Sequence, residues 1–318
     1  MSRNIAEILA DAPTNWGRWG PEDEVGMLNV LHRTEVLRGV ASVRSGKVFT
    51  LGLPIGHPDG DLVWPPRTPT KHFVTNDHGL YAAGKRKPAP GSGFEYADDA
   101  IFIYCHGTTQ LDALGHIWYD DRLYNGYDAD TTVGGLTRNS IEKVAERGIA
   151  GAAVLLDVAR YRGVDSLDHG EEVTMEDLFG AARRQGVTIE KHDMILVRTG
   201  FYLNFLQGGT LQYVRDAVNE PGITYTEEMA TWFYEMEIPV YGTDTMGNEQ
   251  TFSTRTRTTQ PVHPYLITRL GVTMLEMAWL ETLAADCEKD GQYRFLMTVG
   301  ALKIVGGTGS PINPVVVK

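Results

Sequence analysis

Four residues in one short stretch carry chemistry suited to holding a cation or moving a proton: His106, Gln110, Asp112 and His116, within His106-Gly107-Thr108-Thr109-Gln110-Leu111-Asp112-Ala113-Leu114-Gly115-His116. Histidine offers a borderline-soft nitrogen and aspartate a hard carboxylate that can bridge, and both suit divalent metals. The spacing fits a turn or extended loop better than one helix face, on which 110 and 112 would diverge. An apolar run, Ala100-Ile101-Phe102-Ile103-Tyr104-Cys105, leads directly into the cluster and reads as a strand that ends there. The same residue types also serve Gly/Thr-rich turns, where Asp caps backbone amides, so spacing alone leaves a metal site and a structural turn both open.

The elements that must position these residues read as a mixed α/β chain. Apolar runs predict further strands at Val154–Val158, Met194–Arg198, Pro239–Gly242 and Phe295–Val305. Helices interleave with them. Asn139 with Glu142 opens one that Gly148 closes, Thr174 with Asp177 opens another that ends near Gly186, and Thr224 with Glu227 starts a third. In that third helix Met229, Trp232, Phe233 and Met236 fall at helical spacing and read as core packing. The tail Gly306–Pro314 reads as turns feeding a last strand at Val315-Val316-Val317. Between Pro54 and Ser92, prolines 54, 58, 65, 66, 69, 88 and 90 break regular structure, giving a long loop excursion. Trp64, His72 and Phe73 in it are candidate substrate-facing residues, the alternative being a packed loop with a buried Trp.

Composition bounds the rest. At 318 residues, 42% hydrophobic and 22% charged, the chain reads as one elaborated globular domain spanning 1–318. No apolar run is long enough to cross a bilayer and the amino-terminal segment lacks the pattern of a secretory signal, so a soluble, cytoplasmic protein is expected. Net charge of −12 argues against a nucleic-acid partner, and a small-molecule substrate is the expectation instead. The two cysteines, Cys105 and Cys287, cannot build a disulfide framework or a cysteine-rich zinc site.

The cluster resembles the signature of the cyclase family of metal-dependent hydrolases, H-x-G-T-H-x-D-x-P-x-H, a family that includes kynurenine formamidase, isatin hydrolase and trans-dienelactone hydrolase. His106, Thr109, Asp112 and His116 match in register, while Thr108, Gln110 and Leu114 replace Gly, His and Pro. The likeness extends along the chain through Asn15-Trp16-Gly17-Arg18-Trp19-Gly20, Gly26-Met27-Leu28-Asn29, Ile195–Gly200, Gly242–Thr245 and Gly309–Pro314. Val262-His263-Pro264-Tyr265 and Met274-Leu275-Glu276 resemble the family's second cluster.

The resemblance implies an α/β fold of the swivelling β/β/α type, mainly antiparallel strands with flanking helices, in a homodimer or higher homo-oligomer. It implies a divalent metal, Zn or Mn, one or two ions per subunit, with Asp112 and Glu276 as shared ligands. His106 and Gln110 would complete one position, His263 the other, and His116 would move protons. A Gln at 110 is similar to the trans-dienelactone hydrolase branch. The amide oxygen of Gln110 is harder than imidazole, so it weakens late transition metals more than manganese. The implied activity is hydrolysis of a C–N or C–O bond next to a carbonyl in a small cyclic substrate such as a lactone, cyclic amide or imide. Alternatives are an N-formyl amide hydrolase and a catalytically silent metal-binding or ligand-binding homologue.

Overall fold

The computed structural model describes residues 4–56, 61–214 and 218–318; Pro58 and the first three residues of the amino-terminal segment lie outside them. Nine strands form the main sheet: β1 Val48–Thr50, β2 Gln110–Asp112, β3 Ile149–Asp157, β4 Met194–Arg198, β5 Val240–Thr243, β6 Thr273–Glu276, β7 Arg294–Val299, β8 Gly309–Pro311 and β9 Val315–Val317. Their order is β1-β9-β7-β3-β4-β5-β6-β2-β8. The centre is parallel, β3 with β4, β4 with β5 and β5 with β6. Antiparallel pairs flank it on both sides.

A mainly antiparallel sheet was expected from the resemblance; the main sheet is instead mixed. The reason is visible in β3 and β4, whose residues are buried almost throughout, as in strands covered on both faces by crossover helices. Alternate residues divide between two cores. Val154, Leu156, Ile195 and Val197 pack with Leu178 and Phe233, from helices Met175–Gln185 and Glu227–Met236. Ala153, Leu155, Met194 and Leu196 pack with Val144, Leu283 and Cys287, from helices Ile141–Arg147 and Glu281–Asp290.

Local signals were sound but shifted by a residue or two at several ends. Thr174 and Asp177 form a reciprocal capping box, and Gly186 ends that helix in the left-handed conformation. The third helix is capped by Thr226 where Thr224 was expected, and the first starts after Ser140 where Asn139 was expected. The strand expected over Phe295–Val305 stops at Val299, before Gly300.

The run expected as a strand at Ala100–Cys105 pairs outside the main sheet. Asp98–Phe102 is antiparallel to Lys71–Asn76 in a two-stranded ribbon. Phe73, Val74, Ile101 and Phe102 on it are each more than half exposed. Among the described residues no helix is long and apolar enough to cross a membrane.

Candidate metal centre

The short strand β2 sets the geometry. Residues i and i+2 of a strand share a face, so Gln110 and Asp112 point together while Leu111 turns into the core. Across the sheet, Glu276 pairs in register with Gln110. Such cross-strand neighbours on one face are close enough to interact. Gln110 Nε2 indeed donates to Glu276 Oε2. On the other side, Gly309 of β8 stands opposite Asp112. A Cβ there would lie 2.4 Å from His106 Cε1, so the missing side chain is the space the imidazole occupies.

A turn closed by the His116 N–H on the Ala113 carbonyl brings His116 back over the strand. Its ring stacks on that of His106 at 3.9 Å between centroids. His106 Nδ1 lies 3.0 Å from Asp112 Oδ1, and its Nε2 is 3.0 Å from Thr308 Oγ1. His263 arrives from the end of a π-type helix, Pro264–Leu270, a wide turn common at functional sites. Its Nε2 is 3.0 Å from Glu276 Oε1 and 4.0 Å from Asp112 Oδ2. All six side chains named from the sequence therefore meet. Five of them form two groups able to hold a metal ion, His106–Asp112–His116 and Asp112–His263–Glu276, which share Asp112, and Gln110 joins through its bond to Glu276.

The donor set fits a cation on its own terms. Oδ2 of Asp112 and Oε1 of Gln110 are buried without a hydrogen bond, and Oδ1 of Asp112 meets the buried Nδ1 of His106 at 3.0 Å in an ion-pair contact, not a well-formed hydrogen bond. Unpaired buried polar atoms cost free energy, and a cluster of them converging from separate elements is what a bound ion resolves. All are nitrogen or oxygen, which suits zinc or manganese.

Electrostatics follow the same arrangement. Burial pushes the Asp112 carboxyl up, but the nearby His116, His106 and His263 outweigh it and hold it at about 2. Desolvation takes His116 down to about 3, against the pull of Asp112 and with help from His106, His263 and Arg67. It is thus a neutral base at pH 7, and it is the partly exposed member of a buried set. Glu276 rises to about 8 through burial and repulsion from Asp112. His263 is raised well above the ordinary imidazole range, because its bonds to Glu249 and Glu276 overcome burial.

Two contributors had no sequence signal. Glu249, fully buried, accepts His263 Nδ1–H at 2.5 Å and the backbone N–H groups of Val262 and His263 at 2.7 and 2.9 Å. A lone Glu fourteen residues upstream has no pattern to mark it. Arg67 Nη1 donates to the His106 carbonyl at 2.9 Å. The three proposed substrate-facing residues separate. Trp64 is partly buried against a cluster containing Phe201, Tyr202 and Met277. His72 and Phe73 stand on the exposed ribbon, where His72 Nε2 meets Asp99 at 2.6 Å, and the structure does not join them to the candidate ligands. With solvent on both ribbon faces, neither residue is turned inward. A cavity of about 510 Å³ is lined by Phe49, Leu53, Asp61, Tyr202, Phe205, Met277 and Trp279 with Gly107 and Thr108, which follow His106 in the chain; none of the six candidate ligands lines it.

A family model for putative cyclases matches residues 49–250, which include the whole His106–His116 cluster. A crystal structure described as that of a novel cyclase is 31% identical, with 100% of both chains covered and a TM-score of 0.87. The chain belongs to the cyclase family. Solved structures at lower identity share the fold. Isatin hydrolase A from Ralstonia solanacearum is 19% identical over 85% of this chain and 91% of its own, with a TM-score of 0.62. Isatin hydrolase A from Labrenzia aggregata, bound to benzyl benzoate, is 20% identical over 89% and 97%, with a TM-score of 0.60. No curated protein matches significantly. His263 and Glu276 lie beyond the matched segment of the cyclase family model; the sheet register brings Glu276 to it, and His263 reaches it from the start of the π-type helix.

Proposed function

We propose that this cyclase-family protein is a metal-dependent hydrolase that opens a C–N or C–O bond next to a carbonyl in a small cyclic substrate, a lactone, cyclic amide or imide. The observation that carries the reading is Asp112, a buried carboxylate shared by two ligand groups, whose Oδ2 makes no hydrogen bond and whose Oδ1 faces the His106 ring nitrogen at 3.0 Å. A divalent cation, zinc or manganese, supplies Lewis acidity toward a carbonyl and makes water more acidic. His106 and Gln110 would hold it on one side of Asp112, and His263 with Glu276 on the other, which accommodates one or two ions per subunit.

His116 is the proton mover in this reading. Neutral at pH 7 and partly exposed, it accepts the proton of the attacking water at a ring nitrogen and returns it to the departing nitrogen or oxygen. Stacking on His106 fixes the plane in which it works. The cavity that Gly107 and Thr108 share with Phe49, Tyr202 and Trp279 has the size of a site for a small organic molecule. Assembly of two or more copies belongs to the same proposal, supported by the exposed apolar ribbon, because a lone two-stranded ribbon is marginally stable in water.

The test is elemental analysis of purified protein, chelation and reloading, and a panel of lactones, cyclic imides and N-formyl amides. Metal-dependent turnover of a cyclic member is expected. Preference for the formamide moves the activity to the acyclic alternative, and full turnover by the metal-stripped protein refutes the reading.

A further inference from the structure

We infer that Thr308 is a positioning residue for the metal centre: its hydroxyl oxygen accepts the Nε2–H of His106 and so leaves Nδ1 as the nitrogen that this ring turns toward a cation. The inference rests on the metal-dependent reading and adds to it which nitrogen of His106 serves and what holds it there.

The two ring nitrogens of His106 have different surroundings. Nε2 lies 3.0 Å from Thr308 Oγ1 in a hydrogen bond. Nδ1 lies 3.0 Å from Asp112 Oδ1, yet it is buried and the pair is not a well-formed hydrogen bond. At that distance a proton on Nδ1 pointing along the line to Oδ1 would make one, so ring and carboxylate are not aimed at each other. They converge on a third point. Ligand atoms that share one cation, each about 2.1 Å from it, sit roughly 3.0–3.4 Å apart. A neutral imidazole carries its N–H on one nitrogen and a lone pair on the other, and a metal takes the lone pair. With the proton at Nε2, the bond to Thr308 is made and Nδ1 keeps its lone pair beside Asp112.

Thr308 is placed to receive that proton. It stands immediately before Gly309, which pairs opposite Asp112, and its carbonyl accepts the Ala113 N–H at 3.0 Å. The hydroxyl is therefore fixed relative to the ligand-bearing strand β2. Thr308 is an exposed residue, so its own O–H can donate to water while the oxygen accepts from the ring. The ring itself is confined. A Cβ at Gly309 would lie 2.4 Å from Cε1 and 2.9 Å from Nε2, so backbone closes that edge, and His116 stacks on one face at 3.9 Å. A half-turn of the ring would carry Nε2 away from Thr308 and Nδ1 away from Asp112. Holding a ligating imidazole in one tautomer and one orientation through its other nitrogen raises metal affinity.

The experiment reads the ring protons. Long-range 1H–15N correlation spectra of 15N-histidine-labelled protein at pH 8, metal-free and zinc-loaded, show which nitrogen carries the proton and which meets zinc. The His106 signals are assigned by connection to its backbone and by their loss in His106→Asn. Wild type should show Nε2–H in both states and a zinc-induced change at Nδ1. Thr308→Val, which keeps the shape and removes the acceptor, should weaken zinc by a factor on the order of 10, the lower end of the range for losing an outer partner, because water reaches this position. Thr308→Ser should restore most of that affinity. A proton on Nδ1 of the metal-free wild type, a doubly protonated ring, zinc at Nε2, or zinc affinity unchanged in Thr308→Val overturns the assignment. The wild-type spectra decide even where a variant fails to fold. Nε2–H without any uptake of zinc or manganese would leave the hold of Thr308 on the ring standing and remove the metal-dependent reading; zinc bound at Nε2 would do the reverse.

Discussion

Replacing Glu249 by Gln changes one atom and one charge in a group that we expect to touch no metal, yet the geometry requires it to weaken metal binding. Glu249 Oε1 receives both the Nδ1–H and the backbone N–H of His263, and Oε2 receives the Val262 N–H. An amide has one accepting oxygen, so Gln leaves either His263 or Val262 facing an NH2 donor. In both cases the ring loses the carboxylate that fixes its tautomer and turns Nε2 toward Glu276 and Asp112. Loss of such an outer partner of a ligating histidine costs on the order of 10–100-fold in metal affinity. That corresponds to about 1.4–2.7 kcal/mol. The assay is a competition titration of zinc and manganese against a chromophoric chelator for wild type and Glu249→Gln, with thermal unfolding of both metal-free proteins as control. Affinities within twofold of wild type, with the variant folded, would refute the claim that His263 is a ligand positioned by Glu249.

Further outcomes follow from the same centre. Asp112→Ala should lose metal and turnover together, whereas His116→Ala should keep metal and lose about 10²–10⁴ in rate. Release of metal from His116→Ala, measured by elemental analysis, would make that residue a ligand, which its grouping with His106 and Asp112 also permits. Gln110→His should raise affinity for zinc relative to manganese, since imidazole is the softer donor; indistinguishable affinities in the competition titration would place Gln110 outside the ligand set. Gly309→Ala should displace the His106 ring and lower metal occupancy in a folded protein, because its Cβ would sit 2.4 Å from Cε1; unchanged occupancy would show that the ring is not fixed there. Metal loading should strengthen as pH rises toward about 8. Glu276, raised to about 8, and His263, raised above its ordinary range, both hold protons at neutral pH that a cation must displace. Titrations from pH 6 to 9 showing flat affinity would contradict this.

The site was more legible than the frame around it. Gln110 and Asp112 at i and i+2, preceded and followed by His, announce an extended ligand-bearing segment, and the strand obliges. His263 and Glu276 were reachable through resemblance, although only the pairing of β6 with β2 places Glu276 and the bonds to Glu249 place His263. Glu249 and Arg67 act through a ring nitrogen and a carbonyl that belong to distant sequence, so no local pattern marks them. The parallel centre was missed for a related reason. An all-apolar run such as Met194–Val197 records that both faces are buried, not the direction of its neighbours. Asp98–Phe102 erred in the other direction, since Ile101 and Phe102 have the composition of a core strand and stand in solvent.

The strand that carries Gln110 and Asp112 lies between β6 and β8, elements more than 160 residues further along the chain. Order of synthesis therefore matters to this protein. As the chain leaves the ribosome, three of the five proposed metal ligands emerge early and wait without a sheet to join, while closure of so long a loop delays their pairing until the final third is made. A metal-ready pocket is then among the last features to mature. Pulse-labelled chains arrested before residue 276 should bind no metal at the affinity of the finished protein, and cellular metal supply would be read by a folded or nearly folded molecule.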